Sequence, residues 1–442
     1  MVVFNIDPLL EAMPWFKFTI GCNLFIFFLE LYLDIRQSFT LREFKDPNII
    51  WTETKYHIQN IIGLLNFSRT ESTIGFILEC LVLYFGVLVY LYNANSYIWD
   101  HLGFNNTFQI TRGVSYLLVI SLVSSLTRLP FEMYRIYIDQ FVVDNTTKQK
   151  VNWIRQIIWD QIKMFLISLF IGIPMLSIVL SLFYWQYPFQ WLIIVVFVSG
   201  FALWFSDLYP SIAYLFNNFS ILEDGELKNE INQLCLKLNF PISEIYTMDG
   251  SKRGSHSNAF LMGFWSSSFV LYDNLIKQLS TKEILAIIGH EIAHHKFKHT
   301  WKHLLIQLVF VGNFIYLFSS VVHLNVFYTG FGFKRVDVSV GLVLFSYLYS
   351  TFANLLRFVT NMIRREFEYA ADAFAIENGL DMKQALVSMH GKGVYITPDR
   401  FFSLYYYSHP TLMERLESID TIIKTLNTDN NNTIVTEDKK NL

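Results

Sequence analysis

The sequence predicts an all-α, polytopic membrane protein that carries a largely helical polar domain. Three observations lead there. The 442 residues are 53% hydrophobic and 17% aromatic, with a mean hydropathy of +0.34, and only 16% are charged, against about 25% in soluble domains. Seven apolar stretches approach the roughly 20 residues that cross a bilayer as a helix. Two regions, 213–303 and 359–425, are too polar to do so. The net charge of −3 and the lack of any basic run leave no case for nucleic acid. Cys22, Cys80 and Cys235 show no disulfide or metal spacing.

Seven spans are expected, over 16–34, 73–92, 114–129, 164–184, 191–209, 304–323 and 339–358. The N-terminal "MVVFNIDPLLEAMPWFKF" has no basic n-region and no small-residue cleavage site, so the first span reads as a retained anchor. The third span is short, and "TRLPF" carries its end. The fourth contains Pro174, tolerable as a membrane kink. Glu30 and Asp207 lie near span ends, within reach of the interface, whereas Glu79 is more interior and suggests a water-lined space.

Loop charges alternate. The first loop carries Arg36, Arg42, Lys45, Lys55 and Arg69, the second only Arg112. The third has Arg135, Lys148, Lys150, Arg155 and Lys163, and the fourth has none. The positive-inside rule then places the N-terminus in the lumen or outside and the C-terminus in the cytosol. The expected division is 1–212 for the first five spans and their loops, 213–303 for a first polar part, 304–358 for spans six and seven, 359–425 for a second polar part, and 426–442 for a disordered tail. The two polar parts are expected on the cytosolic side, packed as one domain.

Within the first polar part, "LSTKEILAIIGHEIAHHKFKHT" opens with Ser280 and has Glu283 three residues later, a capping box that starts a helix. His290 and His294 then project from one face, one turn apart. Glu291 lies between them, placed to reach a water on a shared ion. This is HExxH, and zinc is the natural metal for imidazole ligands at a site with an open position. A metzincin third ligand is absent, since Phe297 and Thr300 occupy the positions that need glycine and histidine. His295 and His299 read as solvated or as supports behind the ligands. A distant glutamate is the other option for the third ligand. "RREFEYAADAFA" (364–375) offers Glu366 and Glu368, which point about 160° apart on a helix, so only one of them can face the metal. Glu368 and Asp372 share a face, the spacing of a ligand and a carboxylate that orients a ligating histidine.

HExxH followed, after two further spans, by an ExxxD helix resembles the type I CAAX prenyl proteases, integral-membrane zinc metalloproteases. "GSKRGSHSNAF" (250–260), "RREFEYAADAFA", "YSHPTLMERLESI" (407–419) and "LPFEMYRIYIDQF" (129–141) resemble that family's segments, in order, over nearly the whole chain. The resemblance implies seven tilted helices around a water-filled chamber, closed at the cytosolic end by a mainly helical, gluzincin-type zinc protease domain with a small edge strand. It implies that His290, His294 and Glu368 bind one Zn²⁺ per chain, that Glu291 is the general base, and that Asp372 supports the ligands. Asn258 and Ala259 would pair with the substrate backbone, and His409 and Arg415 would stabilise the developing oxyanion or its neighbourhood. The implied reaction removes the last three residues of prenylated CAAX proteins, and some members also cut an upstream bond.

The implied partners are prenylated substrates and membrane lipid, and the implied site is the endoplasmic reticulum membrane or nuclear envelope. "KKNL" at 439–442 resembles a dilysine retrieval signal for that membrane. Two other readings share part of the pattern. An HtpX-like quality-control protease has HExxH and a later glutamate but typically fewer spans. A scaffold with structural zinc would favour four closed, cysteine-rich ligands. An intramembrane metalloprotease is disfavoured because Lys282, Glu283, Lys296 and Lys298 flank the motif. The chain departs from the family pattern at His295, where a large aromatic residue is usual, and in detail within "FLMGFWSSSFVLYD".

Overall fold

The computed structural model describes residues 13–43, 51–103, 108–138, 153–186, 189–252, 257–262, 268–390 and 398–438. Among the described residues the N-terminal part, up to Phe216, contains helices and no strand. Its helices are α1 (Trp15–Glu43), α2 (Trp51–Tyr84), α3 (Val87–His101), α4 (Gln109–Ile138), α5 (Trp153–Ile167), α6 (Ile173–Tyr184) and α7 (Gln190–Phe216). Among the described residues five helices are long and apolar enough to cross a membrane, or six if α2 and α3 count as one bent span. The fifth expected span, 191–209, coincides with α7, whose described apolar part, Gln190–Phe205, is shorter.

Three expected spans differ in shape. The span at 73–92 is not straight: Gly86 takes a left-handed conformation (φ 65°) and the chain bends by 60° between α2 and α3. Glycine adopts that conformation without the Cβ clash other residues meet. The short third span lies inside the 30-residue α4, with Pro130 within the helix. Pro174 is preceded by a π-helical turn, Ser168–Gly172, so the proline causes no break. A wider turn is one way to absorb a missing N–H inside a membrane helix.

The bundle buries Tyr116, Leu180, Ile194, Phe318, Tyr328 and Leu344. Its outer face leaves Phe25, Phe28, Leu122, Phe165, Phe170 and Val196 exposed. So much apolar surface suits a hydrocarbon solvent rather than water. Glu79 does not stand in open space. It accepts a hydrogen bond from Asn23 Nδ2, and Asn23 Oδ1 accepts from Ser350 and Thr351 at 3.1 Å. Glu30 accepts from the Tyr405 hydroxyl at 3.1 Å and meets Arg357 at 3.5 Å. The Asp207 side chain lies outside the described part of the molecule.

After α7 come β1 (Phe219–Ile221), α8 (Glu226–Lys237), β2 (Glu244–Met248), β3 (Ala259–Met262), β4 (Ser268–Tyr272), α9 (Asp273–Gln278) and α10 (Thr281–Lys296). The strands form one sheet in the order β1-β2-β4-β3, with β2 and β4 parallel and the outer pairs antiparallel. The sheet is therefore larger than the single edge element expected, although β3 does form an edge. The chain re-enters the bundle through α11 (His299–Val321) and α12 (Asn325–Thr329), and returns along α13 (Val338–Glu377).

Helix α13 unites the expected last span and the expected ligand helix. Its 40 residues contain no proline, so it is a rod of about 60 Å that runs from the bundle into the polar domain. The chain ends in α14 (Met382–His390), α15 (Arg400–Tyr406) and α16 (Leu412–Asp438). Most of the stretch expected to be a disordered tail, 426–442, is helical as far as Asp438. Leu412, Leu416, Ile419 and Ile423 anchor the start of α16 in the core, and a nucleated helix gains one hydrogen bond for each residue added. The "KKNL" end lies outside the described residues.

The two polar parts share one core. Ile231, Phe269, Leu275, Ile288 and Ile292 from the first pack with Ala375, Leu386 and Ile419 from the second. Asp399 caps α15 through the Phe401 and Phe402 amides, both at 3.1 Å. The same carboxylate is gripped by Arg36 of α1, with Nη2 at 2.8 Å and Nε at 3.2 Å, which ties the polar domain to the first span.

Candidate metal centre and active site

Helix α10 begins as its sequence dictates. Glu283 Oε2 accepts from the Ser280 N–H at 2.7 Å and the Ser280 hydroxyl accepts from the Glu283 N–H, closing the capping box. Ten residues on, His290 and His294 face α13. Their Nε2 atoms lie 3.1 Å apart. Glu368 closes the triangle, with Oε2 3.5 Å from His290 Nε2 and Oε1 3.4 Å from His294 Nε2. A tetrahedral ion with ligands at about 2.0–2.1 Å needs donor atoms roughly 3.3 Å apart. The three donors therefore fit a single metal ion. Glu366 faces the other way, into a groove with Arg365 and Tyr369, so the structure selects Glu368.

The electrostatics also ask for a cation. Burial alone would push the His290 imidazole down, yet hydrogen bonds to Asp372 and Glu368 carry it up to about 9. Burial raises the Glu291 carboxyl, against the opposing pull of His290 and His294. A carboxyl so raised moves toward the range suited to a base near neutral pH.

Behind His290 stands Asp372, which accepts from Nδ1 at 2.9 Å. Arg415 holds that carboxylate from the far side and lies 3.8 Å from Glu368 Oε2. Only 8% exposed, Arg415 faces the ligand shell rather than the open cavity. His409 is accessible, with a side chain 70% exposed and Nδ1 3.1 Å from Glu368 Oε1. The cavity over the triad holds about 500 Å³, and its walls include Phe260, Leu261, Glu291, Arg364 and His409. A second hollow of about 420 Å³ runs along α11 and α13 toward the bundle and meets the first at Arg364.

Among the described residues strand β3 pairs only with β4. The Asn258 carbonyl accepts from the Tyr272 N–H at 3.0 Å, so it points inward. By alternation the backbone groups of Ala259 and Leu261 turn to the free edge. The Ala259 N–H is bonded at 2.9 Å to Asn258 Oδ1. Residues 253–256 of the "GSKRGSHSNAF" segment lie outside the described residues.

Comparison with known proteins accounts for both halves of the chain. Residues 222–423 match the family described as Peptidase family M48, and residues 52–218 match one described as CAAX prenyl protease N-terminal, five membrane helices. The CAAX prenyl protease 1 homolog of Arabidopsis thaliana is 30% identical, covering 92% of this chain and 98% of that protein. CAAX prenyl protease 1 of Saccharomyces cerevisiae is also 30% identical, covering 95% and 99%. The chain belongs to the CAAX prenyl protease 1 family of M48 peptidases. The crystal structure of S. mikatae Ste24p superposes on this family member with a TM-score of 0.81 at 28% identity, over 92% of this chain and all of that one. The protein is accordingly a metalloprotease embedded in a membrane by several passes. The match of residues 52–218 to a CAAX protease membrane domain disfavours the HtpX-like alternative.

The structure brings together His290, His294 and Glu368 and leaves Glu366 facing away. His299, one of the two histidines read from sequence as solvated or as supports behind the ligands, touches His294 Nδ1 at 2.9 Å. His295 is exposed, its ring edge-on to Phe240 at 5.1 Å. The outward turn of the Leu261 backbone is not legible in the sequence, because only the sheet register shows it.

Proposed function

We propose that this chain is a zinc-dependent endopeptidase of the endoplasmic reticulum membrane that removes the C-terminal aaX tripeptide from prenylated CAAX proteins. The observation that carries the reading is the convergence of His290, His294 and Glu368 on one point, with Glu291 in the same cavity wall. Three protein donors leave a tetrahedral ion one open position, the arrangement of catalytic rather than structural zinc. The relatives' names supply the substrate class.

A zinc ion held by these three residues supplies Lewis acidity to water and to the scissile carbonyl. Glu291 takes the proton from the attacking water and delivers it to the leaving nitrogen as the C–N bond breaks. Asp372 fixes the His290 tautomer, and Arg415 fixes Asp372. His409, on the accessible side, donates toward the oxygen that gains charge. The free edge of β3 at Ala259 and Leu261 receives the substrate as an added strand. The alternation of loop charges supports a cytosolic metal-bearing domain and C-terminus and a lumenal N-terminus. A substrate anchored by its lipid is concentrated at that same surface.

The test uses the purified full chain in lipid vesicles with a farnesylated CAAX peptide, its unprenylated counterpart, and a zinc chelator. The expected result is tripeptide release, seen by mass spectrometry, that needs the lipid and stops with chelation. Release unaffected by chelator, or no release at all, refutes the assignment.

A further inference from the structure

The two imidazoles at the metal position are backed differently. His290 has Asp372 behind it, held in turn by Arg415. His294 Nδ1 instead lies 2.9 Å from Nδ1 of another histidine, His299. We infer that His299 is a positioning residue: it accepts the Nδ1–H of His294 and so keeps the His294 Nε2 lone pair aimed at the metal. This rests on the metal-centre reading above and extends it to a residue outside the HExxH pair.

Two ring nitrogens in hydrogen-bond contact need one donor and one acceptor. His294 Nε2 lies 3.1 Å from His290 Nε2 and 3.4 Å from Glu368 Oε1, so it must be bare to act as a ligand. The single proton of neutral His294 is then on Nδ1. His299 Nδ1 accepts it, and the His299 proton sits on Nε2. Ligating histidines generally have such a partner on the second nitrogen, which fixes tautomer and ring orientation.

His299 is itself held in place. It is only 6% exposed. Its ring stacks on Phe367 with centroids 4.1 Å apart and planes within 6°. Phe367 precedes Glu368 in the chain, so the partner of one ligand is clamped by the neighbour of another. His299 is not a fourth ligand, because the nitrogen it presents meets the back of the His294 ring.

The test uses the full chain in detergent, stripped of metal, with cobalt(II) as the probe. Affinity is read by chelator competition and ligand geometry by the cobalt absorption bands. His299→Phe and His299→Ala should weaken cobalt binding by about 10- to 100-fold and shift the bands. His299→Gln offers an oxygen acceptor and should restore affinity to within a few-fold. His295→Ala, an exposed neighbour, should change neither reading. Wild-type affinity in the Phe variant overturns the inference. So does an equal loss in the Gln and Phe variants at matched thermal midpoints, which would mark His299 as packing alone. Should the Phe variant fail to fold, the Ala and Gln pair decides in the same terms. His290→Ala separates the two levels: unaltered cobalt binding there brings down the metal-centre reading itself.

Discussion

Arg415 holds Asp372 by both carboxylate oxygens, with Nη2 2.6 Å from Oδ1 and Nε 2.8 Å from Oδ2. Asp372 is fully buried and Arg415 nearly so. The pair therefore has two jobs, to orient His290 and to neutralise a charge that water cannot reach. Asp372→Ala should remove both. Metal affinity should fall about 10- to 100-fold, and stability by about 3–5 kcal/mol, because the Arg415 charge is left buried with only Glu368, at 3.8 Å, to balance it. Metal titration and chemical denaturation measure the two losses separately. A variant that loses metal at unchanged stability would contradict the second role.

Glu291→Gln keeps the size of the side chain and removes its ability to take a proton. Glu291 supplies none of the three donor atoms of the triad, so bound metal should remain near one per chain by elemental analysis. Peptide cleavage should fall by about 10²- to 10⁴-fold, the usual contribution of a positioned general base. Loss of the metal together with activity would assign Glu291 to the ligand shell instead.

What the sequence reveals here follows periodicity, and what it hides depends on breaks in periodicity. His290 and His294, and likewise Glu368 and Asp372, sit four apart on uninterrupted helices, so their shared faces are legible from a helical wheel. The capping box at Ser280 is equally local. His299 is different. Five residues beyond His294 on a continuous helix, it would point about 140° away. Instead α10 stops at Lys296, Lys298 turns left-handed, and α11 starts anew at His299, which returns the imidazole to His294. The bend at Gly86 is hidden for a similar reason, since one left-handed residue leaves hydropathy unchanged. The strands have three to five residues each, too few for alternation to stand out. Helix α13 hides its continuity because polarity changes along it while the backbone does not.

The capping box gives a pH dependence. Burial pushes the Glu283 carboxyl up, but hydrogen bonds from the Ser388 hydroxyl and from the Ser280 amide and hydroxyl outweigh it and hold the group below its ordinary value of 4.5. A carboxyl depressed on folding stabilises the native state above the unfolded pKa, and that contribution disappears as pH falls through the lower folded value. Glu283→Gln keeps a capping side chain without the charge. The thermal midpoint of the wild type should exceed that of the variant above about pH 5, and the gap should close as the solution is acidified below 4.5. A gap constant with pH would mean the ionised form is not favoured.

Gly341 tests the packing that carries the ligand helix through the membrane. A Cβ at that position of α13 would press on the Tyr328 hydroxyl and ring. Tyr328 has no exposed surface, and its hydroxyl donates to the Val322 carbonyl at 2.6 Å, so the ring has nowhere to retreat. Gly341→Ala should destabilise the bundle by about 1–3 kcal/mol, the usual cost of overpacking, despite the better helix propensity of alanine. Glu368 lies far along the same helix, so metal affinity in the folded fraction should be unchanged.

Lys298 is where fold and metal centre meet. Its φ of 56° places an L-residue in the left-handed region, at a cost of roughly 1–2 kcal/mol that glycine does not bear. Two substitutions at this one position should therefore diverge. Lys298→Gly keeps the turn, so His299 stays against His294 and metal affinity holds, while stability is unchanged or slightly higher. Lys298→Val disfavours the turn further, because a β-branched side chain resists positive φ. The start of α11 should then shift, His299 should draw away from His294, and metal should dissociate faster from the valine variant than from the glycine variant. Both changes remove the same lysine charge, so loss of that charge does not account for a difference between them. Equal metal release from the two would show that the turn at Lys298 is not what brings His299 to the centre.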